Sequence, residues 1–238
     1  TGLDVLNGIF NLVFVSISIF LGFIILSKYF KNNNINFIYM GLTLIFLSSG
    51  WYGTSESFLI ALLYGNEGLT FQVIALLNFI PLPIGLISWT MAFTNLLYKD
   101  KQKLLVGMVL LLTVFFYTAF LYALYTNPVA VGEKITPVDT KGNSLFLLSY
   151  IFIFIIIIVL TGIKFGHETM KYEDPDMKLK GKLLIFAFPA YAIAGLLDSY
   201  IPSTAITLVL FRVILILSAF GFYGGFILPK WLKKLLLT

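Results

Sequence analysis

At 238 residues, with 59% hydrophobic and 11% charged side chains and a mean hydropathy of +0.97, the chain is too apolar for a soluble domain and reads as an integral membrane protein. Having no cysteine, it has no disulfides, thiol nucleophiles or cysteine-based metal sites. The net charge of +5 would suit nucleic acid, but membrane topology accounts for it better, so no nucleic-acid partner is expected.

The first apolar run covers 8–30 and ends at KYFKNNNIN. No basic segment with a cleavage site precedes it, so no signal peptide is expected. A chain starting at Thr1 is expected to be processed or part of something longer. The second run, 37–64, is interrupted by SSGWYGTSES, where Gly50 and Gly53 flank Trp51 and Tyr52 and predict a helix distortion. The third, 71–98, carries Pro81 and Pro83 and is expected to kink there. KDKQK leads to a fourth run, 104–125. The connection NPVAVGEKITPVDTKGN has the composition of a surface loop. A fifth run covers 144–165, HETMKYEDPDMKLKGK is the most charged connection, and 183–201 and 204–228 complete the set.

Each run approaches the length needed to cross a hydrocarbon layer of about 30 Å at about 1.5 Å per residue, so the expected fold is all-α: a polytopic seven-transmembrane-helix bundle forming one domain over 1–238. If the spans alternate, every lysine except Lys134 and Lys141 falls on one side. The positive-inside rule then predicts an outside N-terminus and a cytoplasmic C-terminus in a cell membrane. The lysine-rich, isoleucine-rich composition with a single arginine fits an AT-rich archaeal or bacterial genome.

Within this frame the polar residues acquire depths. Arg212 is the only arginine and lies inside the seventh run. A guanidinium in hydrocarbon costs roughly 2.5–3.5 kcal/mol on insertion scales, so it is expected to face the protein interior and a partner. Asp198 and Glu56 are the carboxylates inside apolar runs, and all three charges fall in the outer half. Asn11, Asn78, Trp51, Tyr52 and Tyr150 lie at comparable levels, which predicts an outward-facing polar and aromatic pocket for a small molecule or lipid. The same charges also suit a structural brace or, less well, an ion or proton path. Tyr122, Tyr125 and Tyr200 read as interfacial anchors. Ser218, Gly221 and Gly225 carry small-residue spacing, which suits packing within the bundle, a dimer face or a hinge, with Pro81 and Pro83 as further hinge candidates.

Catalytic constellations are thin. His167 is the sole histidine, in a charged connection, and no nucleophile elbow, phosphate loop or dinucleotide fingerprint occurs in a suitable setting. No enzyme activity, metal or cofactor is expected. The seven-span plan is similar to that of rhodopsins, but STAITLVLFRVILILSAFGFYGGF lacks the lysine that a retinal Schiff base requires. With GGFILPKWLKKLLLT as a span running on into a basic cytoplasmic helix, the chain resembles the seven-span N-terminal sensor regions of microbial membrane receptors such as histidine kinases. That resemblance implies a receptor-like sensory module that signals to a membrane or cytoplasmic protein partner. A small transporter or channel, and a noncatalytic subunit of a larger assembly, are the other readings.

Overall fold

Inside a bilayer only helices satisfy the backbone of such apolar runs within one segment, and the runs are helical apart from short breaks. The structure, a computed structural model, describes residues 2–65, 67–201 and 204–236; the side chain of Tyr200 lies outside what is described, so its anchor role does too. The helices are α1 (Gly2–Asn32), α2 (Asn36–Leu47), α3 (Tyr52–Tyr64), α4 (Phe71–Phe79), α5 (Leu82–Leu97), α6 (Gln102–Thr126), the short α7 (Pro128–Val131), α8 (Leu145–Met170), α9 (Pro175–Tyr200), α10 (Ala205–Ile227) and α11 (Lys230–Leu236). Among the described residues, six stretches are long and apolar enough to cross a membrane: Gly2–Asn32, Phe71–Leu97, Lys99–Thr126, Leu145–Met170, Pro175–Ser199 and Ala205–Ile227. The chain is a multi-pass, all-α membrane protein.

The stretch from Asn36 to Tyr64 is helical too, but a 3-10 turn at Ser48–Trp51 divides it into α2 and α3, where the Gly-flanked aromatic pair predicts a distortion. The expected kink at Pro81 and Pro83 is also present, as the gap between α4 and α5. Proline has no N–H to donate, and the carbonyls near this break find side chains instead: Ile80 O accepts from Tyr117 and Asn78 O from Ser49.

Two connections depart from expectation. The charged segment after the fifth run is mostly helix, since α8 continues to Met170 and α9 starts at Pro175. Asp174 caps α9 by accepting from the Asp176 N–H at 2.9 Å, with proline at the first helical position. The connection after α6 is no irregular loop but a β-hairpin, β1 (Gly132–Thr136) against β2 (Asp139–Gly142), turned by Pro137 and Val138.

Helix neighbours are α1 with α2 and α10, α2 with α5, α8 with α9, and α9 with α10. Small residues set the closest approaches. A Cβ on Gly41 would fall 2.6 Å from the Gly22 carbonyl oxygen of α1, and side chains at Gly221 and Gly225 would overlap Ala187 and Leu184 of α9. The glycine pair of α10 is therefore used within the bundle, and Ser218 beside it is fully buried. The main core gathers around Trp89, with the rings of Phe188, Phe165, Phe93 and Phe226 within 4.5–6.2 Å. A second apolar cluster holds Phe116, Phe120, Leu147 and Tyr150. Alternation of the helices collects most lysines at one end, called the basic end below, and leaves the hairpin at the other.

Candidate functional site

Arg212 lies in the first half of α10, its side chain 4% exposed. Its Nη1 stands 2.9 Å from Asp198 Oδ2 near the end of α9, and Nη2 donates to Asn7 Oδ1 of α1 at 3.3 Å. The same Asp198 oxygen accepts from Trp51 Nε1 at 3.0 Å, and the Arg212 guanidinium carbon lies 5.4 Å from the centre of the Trp51 ring. Trp51 is thus both a donor to the acid and a π-face for the base, a contact worth about 0.5–2 kcal/mol. The 3-10 turn that ends at Trp51 sets the position of this ring, and Phe14 and Tyr191 meet it edge-on at 5.0 and 6.2 Å.

The ion pair is close but imperfect. Nη1 faces the Asp198 carboxylate at 2.9 Å, whereas Nε has no acceptor among the described residues. Among the described residues Asn11 Oδ1 in α1 also lacks a partner, although its amide donates to Thr54 at 3.4 Å. Buried donors and acceptors left in this state cost about 1–3 kcal/mol each.

The hairpin closes the site from above. Asn7, which accepts from Arg212, donates to Val138 O at 3.2 Å, and Ser57 of α3 donates to Pro137 O. Val138 is 2% exposed, so the turn is a plug rather than a loop in solvent. Lys134 ties the hairpin to the α3–α4 connection through Glu67 O and Leu69 O. Asp139, next to the plug, feels Asp198, Asp4 and Arg212. Burial holds its carboxyl above the usual range, the Thr140 N–H opposes this, the charges of Asp198 and Asp4 add to it, and Arg212 offsets part.

Of the residues expected to share the site, the structure brings together Arg212, Asp198 and Trp51, with Asn11 next to the Trp51 turn through Thr54. Asn78 acts one step away: its Oδ1 accepts from the Gly53 N–H at 2.6 Å and pins the 3-10 turn to the α4–α5 break. Tyr52 turns back to Ile45 O and Ser48 and serves the same turn rather than the charges. Two assignments are corrected. Glu56 is exposed on α3 and forms no part of the buried cluster. Tyr150 is buried in the second apolar cluster, stacked 3.8 Å from Phe116. The hairpin tip covers the outer side of the Arg212 group through Asn7 and Ser57, and a cavity of about 530 Å³ lies at the basic end. Asn7, Asp139 and Asp4 were not singled out from the sequence. Asn7 sits at the start of the first apolar run, and its proximity to a charge on the last could be suspected only once α1 and α10 are known to pack together.

No family model and no curated protein sequence matches this chain. The site stands on its own geometry.

Proposed function

We propose that the chain is a receptor-like sensory module of a cell membrane, with seven spans counting Asn36–Tyr64, an outside N-terminus and a cytoplasmic C-terminus. An extracellular or lipid-borne small molecule acts on the Arg212 group beneath the hairpin and shifts α10 against its neighbours. The observation that carries this reading is the buried guanidinium, whose Nε has no acceptor among the described residues, so that any state supplying one is favoured. Arg212 also joins four separate elements, α1, α9, the Trp51 turn and, through Asn7, the hairpin, so a change at one is felt by all.

The broken stretches α2–α3 and α4–α5, clasped by Asn78, favour a transporter as second reading, since interrupted helices mark substrate sites in many carriers. Against it stands the close packing between Arg212 and the basic end, where Leu47, Leu86, Trp89, Phe188 and Leu215 are fully buried around a few equally buried hydroxyls such as Ser18 and Ser218.

The test is native mass spectrometry of protein released gently from membranes, comparing wild type with Arg212→Gln. A small molecule retained by wild type and lost by a variant of unchanged helicity is the expected result. If the variant loses only stability, with nothing bound to either protein, Arg212 is a brace and the sensor reading falls.

A further inference from the structure

The cavity at the basic end is separate from the Arg212 group and has its own chemistry. It lies between the α1–α2 turn and the adjoining ends of α5, α8, α9 and α10, and its volume of about 530 Å³ falls within the range of small-molecule sites. Its floor is apolar, formed by Phe37, Met40, Phe165 and Phe226. Its rim is rich in donors. Lys180 of α9 is half-buried there and has no ion-pair partner among the described residues; Asp176, one turn back, is taken by Lys233 at 2.7 Å. Asn36 is 8% exposed and accepts from Asn95 with its carbonyl oxygen at 2.9 Å, which leaves its amide donors without an acceptor among the described residues. The one carboxylate in the wall, Glu168, is already held by Lys164 at 2.8 Å and Lys171 at 2.9 Å. An amide donor without an acceptor and an unpaired ammonium over an aromatic floor ask for an anionic head on an apolar body.

We propose that this cavity binds an anionic phospholipid, with the phosphate at Lys180 and Asn36 and the first part of the chains against Phe37, Phe165 and Phe226. A lipid is favoured over a soluble anion because half of the lining is apolar and because the surrounding helix ends carry many further lysines, which concentrate anionic lipid at that surface. Phe226 lies on the same helix as Arg212, so an occupied cavity bears on α10 from the end opposite the hairpin. The inference does not depend on the sensory reading.

The experiment uses the full chain, delipidated in neutral detergent and titrated with phosphatidylglycerol or phosphatidylcholine of matched chains, counting retained lipid by native mass spectrometry. Wild type is expected to retain phosphatidylglycerol at least about tenfold better than phosphatidylcholine, and Lys180→Met to lose about that factor. Lys180→Arg should keep it, and Lys178→Met, which removes an equal charge from an exposed position on the same helix, should leave it unchanged. Asn36→Asp, which still accepts from Asn95 but replaces the free donors with a negative charge, should lose it independently and guards against a folding defect in the first variant. Equal retention of the two lipids overturns the proposal, as do equal losses from Lys180→Met and Lys178→Met, which would mean surface charge alone. Displacement of the lipid by glycerol 3-phosphate at matched concentration overturns it in favour of a soluble-anion site.

Discussion

Asp198→Asn strands the Arg212 guanidinium beside Asn7 and the Trp51 ring, and breaking one side of a buried pair costs about 3–5 kcal/mol. Arg212→Met in an Asp198→Asn background removes both charges, so the double variant is expected to be markedly more stable than Asp198→Asn alone. Unfolding curves in mixed micelles, arranged as a double-mutant cycle, measure the coupling; additive losses would mean that the pair is not coupled at all. At this scale the sequence was legible where chemistry is scarce, because a lone arginine and a nearby aspartate in an apolar pair of helices have few other places to go. It misled at Glu56. Five residues separate Glu56 from Trp51, which turns its side chain about 140° around an ideal helix axis, and the 3-10 turn alters the phase further. Depth in the membrane can be counted along a sequence, but the face a side chain presents depends on an unbroken helix.

Among the elements, the two broken stretches depend on one side chain. Asn78→Leu removes the acceptor of the Gly53 N–H while keeping bulk, and an unmet buried donor costs about 1–3 kcal/mol. Greater loss of amide protection at Gly53 and Thr54 than in α8 is the expected hydrogen-exchange signature; uniform loss would place the effect elsewhere. The hairpin carries the pH dependence. Burial raises the Asp139 carboxyl in the folded protein, so between its unfolded and folded values the native state binds more protons, and stability from this group rises as pH falls into that interval. Asp139→Asn is therefore expected to melt above wild type at neutral pH, with the gap closing as pH drops through the raised value; a gap that widens on acidification reverses the assignment. Both helix breaks were legible because proline and glycine act locally. The hairpin was not. Its strands of five and four residues carry mostly polar side chains, and what holds its tip is tertiary: Asn7 and Ser57, each distant in sequence.

For the whole molecule, the fold makes the proposed crossing of the membrane by Asn36–Tyr64 directly testable. α2 starts at the basic end beside α1, whereas the connection after α3 is gripped by Lys134 of the hairpin at the other end, so α2, the 3-10 turn and α3 together run the length of the bundle. Its 3-10 turn is no obstacle to crossing, because the break is buried in protein, with Ser49 and the Gly53 N–H bonded to Asn78 rather than left to lipid. The protein has no cysteine, so single cysteines report on sidedness without background. Lys31→Cys and Glu67→Cys both replace exposed residues flanking the segment. In intact cells an impermeant maleimide is expected to label Cys at position 67 at once and at position 31 only after permeabilisation. That outcome requires the crossing and sets the positive-inside orientation together, since the lysine-rich end would then be the shielded one. Labelling of both positions from the same side would reduce the count to six and place the Trp51 turn, with Arg212 behind it, at a membrane surface instead of within the bilayer.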